Sequence, residues 1–168
     1  GYGLETIADE SGEEVWSGTL KVKKDLNQDV TTAFPISEVV PNLAPGIYIL
    51  AARPSDVPGD DYGERATQWF VVSDFGLTAY SGSDGIHAFV NSLATTEPIP
   101  GTEVRLIARN NEVLGMATTD ANGAATFAPG LARGKGGLAP AMLVTSGPEG
   151  DYAFLSLKTP GFDLTDRG

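Results

Sequence analysis

The chain has 168 residues, a formal net charge of -11 and no cysteine. That length suits one medium domain or two small ones, each able to bury a core. The acidity makes nucleic acid and anionic membrane surfaces poor partners, since both repel it, and without thiols neither a disulfide framework nor a thiolate metal site is available.

Gly (21) and Pro (11) are abundant but show no repeat period, in a chain that is 41% hydrophobic. This favours many short elements joined by turns over disorder. No apolar run approaches the ~20 residues that cross a bilayer, so direct membrane insertion by these residues is not expected. No basic-then-apolar leader opens the sequence. The chain begins at GYGLET and ends at DLTDRG, and reads as a segment of something longer.

In chain order, LETIADE has room for a turn or two of helix, and no window keeps a helical stripe for three turns. GTLKVKKDL alternates Leu20 and Val22 with Lys21 and Lys23, which predicts a strand. GIYILAARP is apolar on both faces and follows Pro45-Gly46, so it predicts a buried central strand entered through a turn. PSDVPGDDYGE has the composition of a hairpin loop, and ATQWFVVSD is the next strand. Trp69 and Phe70 must point to opposite faces of that strand, one filling a core and the other reaching the outer face or a junction. WFVVSDFGL then runs on without a flexible linker, which predicts junction packing.

The same grammar restarts at Gly76. GLTAYSG, GIHAFVNSLA, TEVRLIARN, EVLGMATTD, GAATFAP, PAMLVTSG and DYAFLSLKT are strand-like runs separated by turn signals, the pattern of an all-β sandwich. The expected organisation is two tandem antiparallel β-sandwich domains, residues 1–73 and 74–168. The first shows fewer convincing runs; either its leading strands lie before Gly1 or its strands are irregular. Missing strands would leave an exposed edge.

Candidate chemistry is sparse. TTDANGAATF begins like a calcium loop with Asp120 and Asn122, but the oxygen ligands stop there and no Glu closes the site. The expectation is a hairpin turn: type I′ with Asn122-Gly123 at positive φ, or a slightly longer loop with Asp120 capping its own backbone. Gly134-Lys135 in PGLARGKGGLAP hints at a phosphate loop, yet the first spacing is one short, Gly136 replaces the hydroxyl and Pro140 blocks a following helix. A long mobile connection is expected there instead. His87, the sole histidine, has no nucleophile elbow to serve and reads as a half-buried strand residue. Glu13-Glu14 and Asp60-Asp61 read as solvated loop pairs. No catalytic, cofactor or metal site is expected.

LNQDVTTAFPI, ATQWFVVSDFGLTAYSG, HAFVNSLATTEPIPG, VRLIARNNEVLGMATTDANGAATFAPGLARGKGGLAPAMLV and DYAFLSLKTPGFDLTDRG together resemble the amino-terminal macroglobulin domains of bacterial alpha-2-macroglobulins. The resemblance covers nearly the whole chain and is most specific after Ala66. It implies a pair of macroglobulin domains, each a seven-stranded antiparallel sandwich like fibronectin type III, from a long periplasmic protein, often a lipoprotein of the inner membrane. Such proteins act as broad-range endopeptidase inhibitors: cleavage of a bait segment triggers a conformational change, and in many members a thioester captures the attacking protease. Neither the thioester Cys nor a bait segment matches any residue here, so the implied role is scaffold, with neighbouring macroglobulin domains as direct partners and proteases as partners of the full-length protein. A β-sandwich adhesion or carbohydrate-binding module is the alternative, and it predicts an exposed aromatic platform or a ligand-lined loop cluster.

Overall fold

The structure is a computed structural model and describes residues 12–22, 30–55 and 66–158. Its elements are a one-turn helix α1 (Ile36–Val39), strands β1 (Gly46–Ala52), β2 (Ala66–Val72), β3 (Phe75–Gly82), β4 (Gly85–Ser92), β5 (Glu103–Ala108), β6 (Val113–Thr118) and β7 (Ala124–Phe127), two short 3-10 turns, then β8 (Pro140–Ser146) and β9 (Tyr152–Ser156). Every strand pairing is antiparallel.

The runs from Gly76 onward become β3 to β9, which fold as two facing sheets ordered β3-β4-β7 and β6-β5-β8-β9. Alternation decides which side chains meet between them. In β4 Ile86, Ala88 and Val90 face inward; in β5 Val104, Leu106 and Ala108 do; β7 adds Ala125 and Phe127, and β8 adds Leu143. All of these but Ala108 form one cluster, closed at its margins by Phe75, Leu77, Leu114, Leu131 and Leu155. The register between β5 and β6 slips after Leu106, so Val113 rather than Leu114 stands opposite Ile107. The extra residue, Leu114, packs against the core, the re-aiming a bulge permits. Gly115 lies beside it on the inner face, and a Cβ there would come within 2.8 Å of Leu131 Cδ1.

Among the described residues β1 and β2 pair only with each other, Gly46 opposite Val72 and Ala52 opposite Ala66. The hairpin expected between GIYILAARP and ATQWFVVSD is present, though most of its loop, 56–65, lies outside the described residues, as does LETIADE. β1 is not a central strand: its sheet has no third member among the described residues, and Ile47 is 58% exposed. One face of this hairpin is covered by the segment around α1, which with Val72 lines a shallow hollow through Phe34, Pro35, Ile36 and Leu43. On that face Tyr48 and Phe70 stack, centroids 5.4 Å apart. The described part of GTLKVKKDL, residues 18–22, is not a strand, and Leu20 and Val22 are exposed. Alternation there has no partner strand to pair with, and a strand's backbone groups need one. Trp16 leans instead on Phe34, centroids 5.5 Å apart.

Leu106 is fully buried at the middle of β5 between the two sheets. Leu106→Ala should destabilise the chain by about 2–5 kcal/mol, measured as a lower denaturation midpoint in urea with an unchanged slope.

Candidate functional site: the junction between the hairpin and the sandwich

Only Ser73 and Asp74 separate β2 from β3, and both are tied to the far end of the chain. Ser73 Oγ donates to Asp151 Oδ1 at 2.9 Å and accepts from the backbone N–H of Phe75 at 3.0 Å and of Tyr152 at 3.2 Å. Asp151 Oδ1 also accepts the Asp74 N–H at 2.7 Å. The carboxylate just before β9 therefore holds both connecting residues. On the other side, Asp74 Oδ1 accepts the Ala94 N–H at 2.8 Å, and the Leu93 N–H donates to the Asp74 carbonyl at 2.7 Å.

Apolar packing reinforces this knot. Trp69 and Phe70 occupy opposite faces of β2, as alternate residues must. Phe70 takes the Tyr48 side, and Trp69 reaches across to Phe154 of β9, centroids 5.7 Å apart and tilted 41°. The turn before β9 is equally close: Gly150 has φ +93°, and a Cβ on it would lie 2.7 Å from the Pro45 carbonyl oxygen. The β8–β9 turn thus sits against Pro45, where the chain enters β1, and against Ser73, where it leaves β2. The arrangement holds no reacting group in a cleft; what it supplies is mechanical coupling.

The residues that carried chemical hints in the sequence lie elsewhere. Asp120 to Gly123 do form a turn, bounded by Thr118 and Ala124, the second of the two forms expected, and one feature differs from expectation. Only Gly123 has positive φ, at +72°, so the turn is not type I′. It is the longer loop: Asp120 Oδ1 accepts the Asn122 and Ala124 N–H groups at 2.8 and 3.0 Å, and the Gly123 N–H donates to the Asp120 carbonyl at 2.9 Å. Nor is it a hairpin, because β6 and β7 belong to opposite sheets and the loop arches between them. Gly123 is needed twice over, for its φ and because a Cβ would stand 2.5 Å from the Val90 carbonyl oxygen. The Ala124 N–H, then that of Asn122, holds the Asp120 carboxyl below its ordinary value of 3.8.

His87 is half-buried on the outer face of β4. Its Nε2 is 3.0 Å from Asp84 Oδ2, its Nδ1 is 3.3 Å from Thr126 Oγ1, and its ring stacks on Tyr80 at 5.0 Å. Tyr80 stacks in turn on Phe89, at 5.8 Å. Gly134-Lys135 does not lie in an open mobile loop: it joins the 3-10 turns Pro129–Arg133 and Gly136–Leu138. Leu131 and Ala132 of the first turn pack on the core and anchor it. Glu13 and Glu14 are exposed, and Asp60-Asp61 lie outside the described residues. Among the described residues, no three of His, Asp and Glu are gathered as a metal cluster. The Ser73–Asp151 knot had no sequence signal, since its members lie 78 residues apart.

Residues 72–168 match the family model described as the bacterial alpha-2-macroglobulin MG3 domain. The chain belongs to the bacterial alpha-2-macroglobulin family. It is 27% identical over 152 residues to alpha-2-macroglobulin of Escherichia coli strain K12, a match that covers 90% of this chain but 8% of that protein. It is 36% identical over 80 residues to alpha-2-macroglobulin of Pasteurella multocida, covering 47% of this chain and 4% of that one. The chain therefore spans a small part of these relatives. Among solved structures, native E. coli alpha-2-macroglobulin spanning domains NIE-MG1 is similar with TM-score 0.65 at 23% identity, over 86% of this chain and 64% of that one. A longer piece spanning MG0-NIE-MG1 gives TM-score 0.66 at 21% identity, over 86% of this chain and 44% of that one. At these identities the structural likeness speaks to the fold, an all-β macroglobulin sandwich, in chains where such domains follow one another.

Asp151→Ala removes the acceptor for two donors and should cost about 1.5–3 kcal/mol, while Asp151→Asn, which keeps an acceptor oxygen, should retain most of the stability; equilibrium unfolding of both variants checks this. Asp120 has a depressed folded value, so its contribution is fully present above 3.8 and is lost as pH falls through the lower folded value. The difference in thermal midpoint between the parent chain and Asp120→Ala should accordingly be constant near neutrality and shrink under acid, which thermal scans across that range would show.

Proposed function

We propose that the chain is scaffold from a bacterial alpha-2-macroglobulin that inhibits endopeptidases by trapping them, and that its direct role is to hold neighbouring macroglobulin domains in fixed relation. The observation that carries this is the junction. Two connecting residues, both held by Asp151, and a Trp69–Phe154 contact tie the hairpin to the sandwich at three points. Membership of the family supports the parent's role, and fold alone does not. We place the parent in the periplasm, held to the inner membrane as a lipoprotein. The relatives named above are alpha-2-macroglobulins, which favours the scaffold reading over the adhesion or carbohydrate-binding alternative.

A trap encloses the protease and leaves its active site open to small molecules. With full-length protein, a protease should therefore lose most activity on a large protein substrate yet keep cleaving a short chromogenic peptide. Equal loss on both substrates, or loss on neither, overturns the trap.

A further inference from the structure

The outer face of the larger sheet has the wrong chemistry for water. An antiparallel sandwich sheet normally buries one face and presents polar residues on the other. In β6-β5-β8-β9 the inner positions are Ala117, Val104, Leu106, Leu143, Thr145 and Leu155, and the centre of the outer face is apolar too, while its margins carry Glu103, Thr118, Ser146 and Ser156. One row in register across all four strands reads Met116, Arg105, Val144, Phe154, and the next includes Val113, Ile107 and Met142. The first row spans about 14 Å at ~4.8 Å per strand. Met116 is 64% exposed, Val113 51% and Phe154 41%. Arg105 is the one cation in that row, and its Nε is held by Glu103 Oε1 at 2.6 Å.

A contiguous apolar patch of this kind marks an interaction surface, and three observations identify what covers it. First, the patch continues an interface the chain already makes: Phe154, at one end of the row, is where Trp69 docks. Trp69 itself stays 44% exposed, so the covering body extends the Trp69 contact across the sheet. Second, among the described residues the apolar centre of the face carries only the Arg105–Glu103 pair, which is satisfied within the chain and leaves it little charge to steer a diffusing partner. Third, a second copy would bring a further net charge of -11 against the first, whereas a tethered domain arrives at high effective concentration and needs no steering.

We propose that the outer face of β6-β5-β8-β9 is a docking face for another domain of the same long polypeptide, which presents an apolar surface to Met116, Val144 and Phe154. This rests on the reading above only in taking the chain to be part of a longer protein.

Met116 is its own probe, because thioether oxidation follows exposure. Peroxide oxidation of Met116, read by mass spectrometry, should be about tenfold or more slower in the full-length protein than in the 168-residue chain. Met116→Glu should leave the midpoint of the 168-residue chain unchanged and lower that of the full-length protein. Equal oxidation rates overturn the proposal. So does sedimentation showing that the isolated chain dimerises and that Met116→Glu abolishes the dimer, since the occupant is then a second copy. A native polypeptide no longer than this chain also overturns it. Protection of Met116 in a protein that traps no protease would retire the trap and keep the docking face; trapping with Met116 unprotected would do the reverse.

Discussion

Everything else in the molecule depends on two sheets closing over a single interior. β4 is the middle strand of its sheet and β5 one of the two inner strands of the other, and they deliver Ile86, Ala88, Val90, Val104 and Leu106 to the same cluster. Burying that apolar area is the main favourable term available to a domain of this size. The edges follow from it. β7 closes one sheet with four residues, and the 3-10 turn after it lays Leu131 over Gly115, so the margin between the sheets is filled by a connection rather than another strand.

Once the interior is satisfied, the two outer faces can differ, and they do. On β3-β4-β7 the outward residues Thr78, Tyr80, His87, Phe89 and Thr126 pair among themselves: aromatic rings stack across the strands, and His87 finds oxygen partners on both nitrogens. That face is complete in isolation. On β6-β5-β8-β9 the centre of the outward face is apolar, with Met116, Ile107, Met142, Val144 and Phe154 around one internal ion pair, and these side chains gain nothing from water. The asymmetry separates a finished surface from one shaped for company.

Period-two alternation made the sandwich legible: each of the seven runs after Gly76 became a strand, because alternation is a local property that each segment carries by itself. The turn at Asp120 to Gly123 was legible for the same reason, Asp capping and a Gly at positive φ being local chemistry. Which sheet each flanking strand joins is not local, so the loop read as a hairpin although it arches between sheets. GTLKVKKDL shows the opposite failure. Its alternation is real, but a strand also needs a neighbour, and residues 18–22 have none among the described residues. The junction stayed hidden except for Trp69: a large aromatic facing away from its own core announces a contact, whereas Ser73 and Asp151 are ordinary loop residues until the fold brings them within 2.9 Å.

β9 joins these layers. Its inward Leu155 belongs to the core, its outward Phe154 receives Trp69 and ends the apolar row, and Asp151 just before it holds Ser73 and Asp74. The hairpin β1-β2 cannot swing against the sandwich without breaking the Asp151 hydrogen bonds or uncovering Phe154. β9 cannot yield to relieve either, because its other side is packed and its ladder to β8 runs from Ser146–Tyr152 to Met142–Ser156. A displacement applied at the hairpin is therefore passed on as movement of the whole sandwich. That is the behaviour the proposed scaffold role would need.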